Sequence, residues 1–421
     1  MYQSIISTIR QIVGIIAVSL IASVLLVFIA NYGATIWLRN HPSFLMSEAD
    51  RINENTRAIR EKMISPENAK LWYQLKAAEE VKPMWDEFYN AGIAFESYVH
   101  FRSKTYLGKY YGVTEPGYRL SRDPGPWPPS AENFNVFFFG GSTSFGVGPY
   151  WATVASYLQD AMNESGKLKR KVYAYNFGRS GYISTQEQIL FHRLISEGYR
   201  PNMVVFLDGL NDFCMSDGRP SSWQMLRDPF EKANAEYSQR LAGYGIVTKW
   251  GDLMSFLGTM PLMRLTAAAI ERTSSAPLPT YTGSGTFSDD VPADKEVLLK
   301  VIDRYTNNMK QVKAVSQAYG ITPVFVWQPI PSYKYDVSYH LFNPNRLGCH
   351  INSKVGYPMM VELSKKSSLG ASFIWAADIQ AKRFEPLYVD AFHYTAPLSK
   401  SIAEFINSAI IERKLIGIGV E

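Results

Sequence analysis

Cysteine is nearly absent: the 421 residues include two, Cys214 and Cys349. That excludes a disulfide-dense scaffold and a multi-cysteine zinc site. Net charge is small, with 43 basic against 38 acidic residues and a balance of +5. A surplus that slight over this length points to no nucleic-acid partner. No lysine occurs from residue 131 to 166. The glycine-rich stretch 140–148 therefore lacks the Gly-Lys-Ser/Thr ending of a phosphate-binding loop, and Pro149 and a missing third glycine spoil it as a dinucleotide fingerprint. Asp208 and Asp212 have no histidine near them in the chain, too thin a donor set for a metal. Neither a metal nor a cofactor is expected.

Charge is missing altogether between Arg10 and Arg39. From Ile12 to Ala30 the chain reads IVGIIAVSLIASVLLVFIA. At ~1.5 Å rise per residue, this stretch and its flanks match the ~30 Å hydrocarbon layer of a bilayer. Tyr32 and Trp37 fall where interfacial aromatics sit. A cleaved secretory signal would have an apolar core of roughly 7–15 residues and a small-residue cleavage site. This run is longer, and Asn31-Tyr32-Gly33-Ala34 is a poor site. The expectation is one uncleaved membrane-spanning helix. Arg39, Arg51, Arg57 and Arg60 follow it, which naively keeps the rest of the chain in the cytoplasm, but long domains cross largely regardless of charge.

What is abundant is apolar side chain, 46% of the sequence, with 14% aromatic, enough for a sizeable core. Residues 1–40 read as a stub and anchor. Residues 41–130 read as a membrane-proximal helical or irregular region, with a helix start at Ser65-Pro66 and a stiff proline-rich connector at 123–129. Residues 131–421 read as the main domain, with a helical insertion at about 213–288. Five near-continuous apolar runs, 136–139, 172–175, 203–207, 323–327 and 372–375, have the look of parallel strands covered on both faces. Helical periodicity between them, over 151–163 and 292–319 for example, predicts a three-layer α/β/α sandwich on a five-stranded parallel sheet, flavodoxin-like in type.

In such sheets ligands bind off the carboxyl ends of the strands. Gly140-Gly141-Ser142 follows the first strand, Gly178 to Gly181 the second, Asp208-Gly209-Leu210-Asn211-Asp212 the third and Asp390-Ala391-Phe392-His393 the last. Serine is a weak nucleophile and needs a base. His393, with Asp390 to hold its other ring nitrogen, supplies one. The N–H groups of Ser142 and Gly181 and the amide of Asn211 are candidate donors to an oxyanion.

These four blocks, in this order and strand context, resemble the SGNH/GDSL hydrolase superfamily. Gly140-Gly141-Ser142 stands for its Gly-Asp-Ser block, with Gly141 in place of the usual Asp, a substitution familiar in membrane-anchored bacterial members. Gly209-Leu210-Asn211-Asp212 and Asp390 to His393 match two further blocks; Tyr394-Thr395 follows where a proline or small polar residue is usual. The resemblance covers roughly residues 135–411. It implies an SGNH-type fold and a catalytic set of Ser142, Asp390 and His393, with an oxyanion hole of Ser142, Gly181 and Asn211.

The function implied is a membrane-anchored serine esterase that removes an acyl group, acetyl foremost, from a polar small molecule or glycan. The same machinery would serve an O-acyltransferase with a sugar hydroxyl as acceptor, and a non-catalytic scaffold would keep the fold for binding. The resemblance also favours a single-pass protein whose catalytic domain lies outside the cytoplasm. His192 and His350 read as ordinary surface or core histidines. Gln328, after the fourth strand, either lines the cleft or belongs to a turn set by Pro329. Cys214 and Cys349 lie in loops off one sheet edge, so they either pair or stay as separate thiols.

Overall fold

The computed structural model describes residues 2–41, 65–214, 260–273, 294–341, 350–366 and 369–416. These divide into two compact units. The first holds helix α1 (Tyr2–Asn40) and a helix at Pro261–Thr273, where the Leu262 N–H donates to Asn31 Oδ1 at 3.1 Å. Within α1, Arg10–Asn40 is long and apolar enough to cross a membrane, with a mean hydropathy of 3.1. Most of the insertion expected at 213–288 lies outside the described residues.

The second unit begins with α2 (Pro66–Tyr73), which Ser65 caps by accepting from the Asn68 N–H, with Pro66 in the first turn. Next come α3 (Val81–Asn90) and two small antiparallel pairs, β1 (Ile93–Glu96) with β2 (His100–Ser103), and β3 (Tyr106–Leu107) with β4 (Gly112–Val113). Strands of two to four residues leave no alternation to read. The five apolar runs follow as β5 (Phe134–Gly140), β6 (Val172–Asn176), β7 (Met203–Asp208), β8 (Thr322–Trp327) and β9 (Phe373–Trp375). They form one parallel sheet in the order β6-β5-β7-β8-β9. The three-layer sandwich is thus as the sequence predicted.

Every residue of β5 and of β7 is buried. The period of two sends Phe137 and Phe139 into one core and Val136 and Phe138 into the other. On the first face lie α6 (Ser184–Ser196), α9 (Lys295–Ala318) and α10 (Ile351–Lys366). On the second lie α5 (Val154–Glu164) and α11 (Ala396–Glu412). The short helix α4 (Ser142–Phe145) precedes them in sequence, and the short helix α7 (Leu210–Cys214) and the Pro261–Thr273 helix of the first unit, α8, fall between α6 and α9. Phe139, Phe206 and Phe325 are register partners on β5, β7 and β8. Their rings stack at 4.9 and 5.5 Å, an aromatic ladder beneath the strand ends.

Candidate active site

β5 ends at Gly140, whose φ of 148° disfavours any side chain, and a Cβ there would run into Ser144 Oγ. Gly141 is extended and Ser142 opens α4, half-buried. A Cβ on Gly141 would collide with Asn211 Nδ2. A side chain in the place of Gly141 would therefore have to displace the Asn211 amide. Asn211 spends one N–H on Tyr182 O at 2.8 Å, and its amide has a second to give. The segment after β6 is tied to the same corner by Arg179 N–H donating to Gly140 O at 2.9 Å. Gly181 sits in it at φ 73°.

His393 Nδ1 is 2.6 Å from Asp390 Oδ2. Asp390 Oδ1 accepts from the backbone of Phe392 at 3.0 Å and of His393 at 2.8 Å. The turn is closed by Val389 N–H donating to His393 O. With Nδ1–H donating to Asp390, the Nε2 lone pair is left as the basic site. Nε2 is buried and without a hydrogen-bond partner, so Ser142 Oγ does not close onto it in this conformation. Contacts of this kind commonly tighten only when substrate binds.

Gln328 joins the two halves. Its Oε1 accepts from Thr143 Oγ1 at 2.6 Å and from Tyr394 Oη at 2.6 Å, the residues next to Ser142 and His393. It is 2% exposed, so it lines no open cleft; it is a buried strut between the serine and histidine corners. Its backbone carbonyl accepts from Tyr357 Oη.

Segments before residue 130 brace the loops. Arg119, fully buried, donates to the carbonyls of Phe145, Gly146 and Gly148 just past α4 and packs on the rings of Phe145 and Tyr111. Burial pulls its pKa down to about 10, which leaves it charged at neutral pH. Glu96 on β1 pairs with Arg193 at 3.0 Å and Arg179 at 3.5 Å.

Three carboxyls lie under the β7 end. Burial, and then the charges of its neighbours Asp208 and Asp212, push Glu187 well above the usual carboxylate range. Burial followed by Asp212 does the same to Asp208. Asp212 is raised chiefly by burial, against which Ser184 and Arg304 work. Ser184 Oγ donates to Asp212 Oδ1 at 2.6 Å. Among the described residues, no group of three or more His, Cys, Asp or Glu is arranged to hold a metal ion. Cys214, which ends α7, is disulfide-bonded; the only other cysteine of the chain, Cys349, lies outside the described residues.

The His350 ring packs on Phe392 at 4.5 Å, and Phe392 packs on His393 at 4.6 Å. Burial and the nearby His393 hold its pKa down to about 4. Sequence reading also passed over Arg119 and Glu187, which carry no motif; only Gln328 had a signal, its place after the fourth strand.

No family model matches the chain, and no curated protein is similar to it. Solved structures are. An acetyl xylan esterase, AlAXEase, is 14% identical over 66% of this chain and 99% of its own, with a TM-score of 0.33. A GDSL-like lipase from Bacteroides thetaiotaomicron is 14% identical over 68% and 91%, at 0.32. The psychrotrophic esterase EstA from a Pseudoalteromonas species, inhibited by monoethylphosphonate, is 11% identical over 66% and 98%, at 0.30.

Proposed function

We propose that the chain is an ester hydrolase of SGNH/GDSL type that works through an acyl-Ser142 intermediate. The observation that carries this reading is the Asp390–His393 pair at 2.6 Å, its Nε2 unpartnered, at the rim that also holds Ser142 and Asn211. His393 Nε2 takes the Ser142 proton as Oγ attacks the acyl carbon. The carbonyl oxygen, now negative, accepts from the Asn211 amide and from the N–H groups of Ser142 and Gly181. Each donor of this kind is worth roughly 10²–10³-fold in rate. His393 then returns the proton to the leaving alkoxide, and water, activated by the same imidazole, frees the acid and restores Ser142.

The substrate class in this reading is an acyl ester, acetyl foremost, of a polar or glycan alcohol. The Arg10–Asn40 helix anchors the chain, and the catalytic domain faces an extracytoplasmic compartment. Support comes from the bonded state of Cys214, since disulfides persist in oxidising compartments. A fluorophosphonate probe tests the chemistry: the full chain is expected to be labelled, and Ser142→Ala not. Labelling of the variant at the wild-type rate sinks the assignment. Protease added to intact cells tests the topology; a domain digested only after the membrane is opened reverses it.

A further inference from the structure

We infer that His350 is a specificity-determining residue that binds the alcohol half of the ester by a hydrogen bond from its imidazole to a hydroxyl neighbouring the scissile oxygen. The inference rests on the ester-hydrolase reading above and narrows its substrate to esters of polyhydroxylated alcohols.

Three observations converge on this residue. The first is position. His350 and His393 both pack on the Phe392 ring, at 4.5 and 4.6 Å between ring centres. His350 lies close enough to feel the charges of both His393 and Asp390. The alkoxide must leave from beside His393 Nε2, because that nitrogen returns its proton. A second imidazole so near is placed to meet what the leaving oxygen is attached to.

The second is an unspent hydrogen-bonding atom. His350 Nδ1 is buried and has no partner. A buried polar atom left unpaired costs free energy unless a ligand or water satisfies it. His393 Nε2 is the other such atom at this corner, and its role is to bond a reacting group.

The third is rigidity. His350 directly precedes α10, which is pinned to the oxyanion side of the site. Ser353 Oγ donates to Leu210 O at 3.3 Å. Gly356 lies so tightly on Phe213 that it has no room for a Cβ, and Tyr357 Oη donates to Gln328 O at 2.9 Å. A side chain on so fixed an element selects geometry rather than adapting to it. Burial and His393 keep the ring neutral, so Nδ1 carries no fixed charge and can exchange one hydrogen bond with a neighbouring hydroxyl. A fixed cation would suit an acidic leaving group instead.

The test compares two acetates on the full-length protein: a monoacetylated methyl glycoside, with hydroxyls beside the ester, and 4-nitrophenyl acetate, with none. His350→Ala is expected to lower kcat/KM for the glycoside at least tenfold more than for the aryl acetate, the difference lying mainly in KM. His350→Asn, whose amide falls near the Nδ1 position, is expected to recover most of the discrimination. Equal losses on both substrates, with no recovery in the Asn variant, overturn the inference, since a packing role moves both alike. A wild-type protein that hydrolyses the aryl ester but not the glycoside also overturns it while the hydrolase reading stands. No turnover of either ester and no probe labelling would bring down that reading, and this inference with it.

Discussion

Two groups of buried carboxyls flank the site, and they are treated in opposite ways. Asp390 receives the His393 ring nitrogen and two backbone N–H groups within 3.0 Å. Glu187 and Asp208 receive almost nothing: both oxygens of Glu187 and Oδ1 of Asp208 are buried without donors. A carboxylate surrounded by donors can stay ionised in a protein interior, and one without them is forced toward its protonated form. The first arrangement suits a residue that orients and balances an imidazolium. The second suits a proton-sharing pair held in the interior as a nearly neutral unit.

The largest test of that contrast is Asp390→Asn. Loss of the acceptor favours the wrong tautomer of His393, and under the proposed mechanism turnover is expected to fall about 10⁴-fold with the fold intact. Glu187→Gln, an equally small change at a carboxyl buried still more deeply, is expected to leave turnover within a few-fold. Rates that fall alike for the two variants break the comparison.

Asn211 stands between Asp208 and Asp212 and connects the second region to the chemistry. Asn211→Ala is expected to lower kcat by roughly 10²–10³-fold with little change in KM; a change confined to KM points to ground-state binding instead. Gly141→Ala should produce a similar but smaller loss. Its backbone, at φ −76° and ψ −157°, is one alanine accepts, yet the new methyl displaces the Asn211 amide. Full activity in this variant shows that the amide does not serve the oxyanion from its observed place.

The smallest effect is thermodynamic. Glu187 has a raised pKa when folded, so between its unfolded value and that raised value the folded chain holds a proton the unfolded chain has lost. Stability attributable to it therefore falls as pH rises above about 4.5. His350 acts in the opposite sense: its pKa drops from 6.5 to about 4 on folding, so stability is lost as pH falls from 6.5 toward 4. Thermal melts from pH 4 to 8 are expected to show a shallower alkaline decline in Glu187→Gln than in the wild type. A decline of equal slope means that Glu187 is ionised in the folded protein.

The five strands were legible because residues covered on both faces must be apolar without interruption, and Val136 to Phe139 or Met203 to Leu207 are uninterrupted. The candidate nucleophile, base and oxyanion donors were proposed from sequence because each lies past a strand, and a parallel sheet gathers its carboxyl ends on one rim. Helix α2 announced itself through Ser65-Pro66, a local capping signal. Glu96 and Arg119 were not legible, since their partners lie 83 and 26 residues away and no periodicity links them. The small sheets β1–β2 and β3–β4 were missed for want of length.

Sequence by itself thus determined the layers, the sheet and the residues offered at its rim, because these follow from short-range patterns of burial and turn chemistry. Tertiary structure alone decided which groups meet. It set Gln328 between Thr143 and Tyr394, laid the Asn211 amide against Gly141, and left Glu187 short of donors. It also carried His350, 43 positions before residue 393, to the Phe392–His393 corner. The physical reason is range: hydrophobic periodicity is written in neighbouring residues, whereas a hydrogen bond or a desolvated charge depends on atoms that only the folded chain brings within a few ångströms.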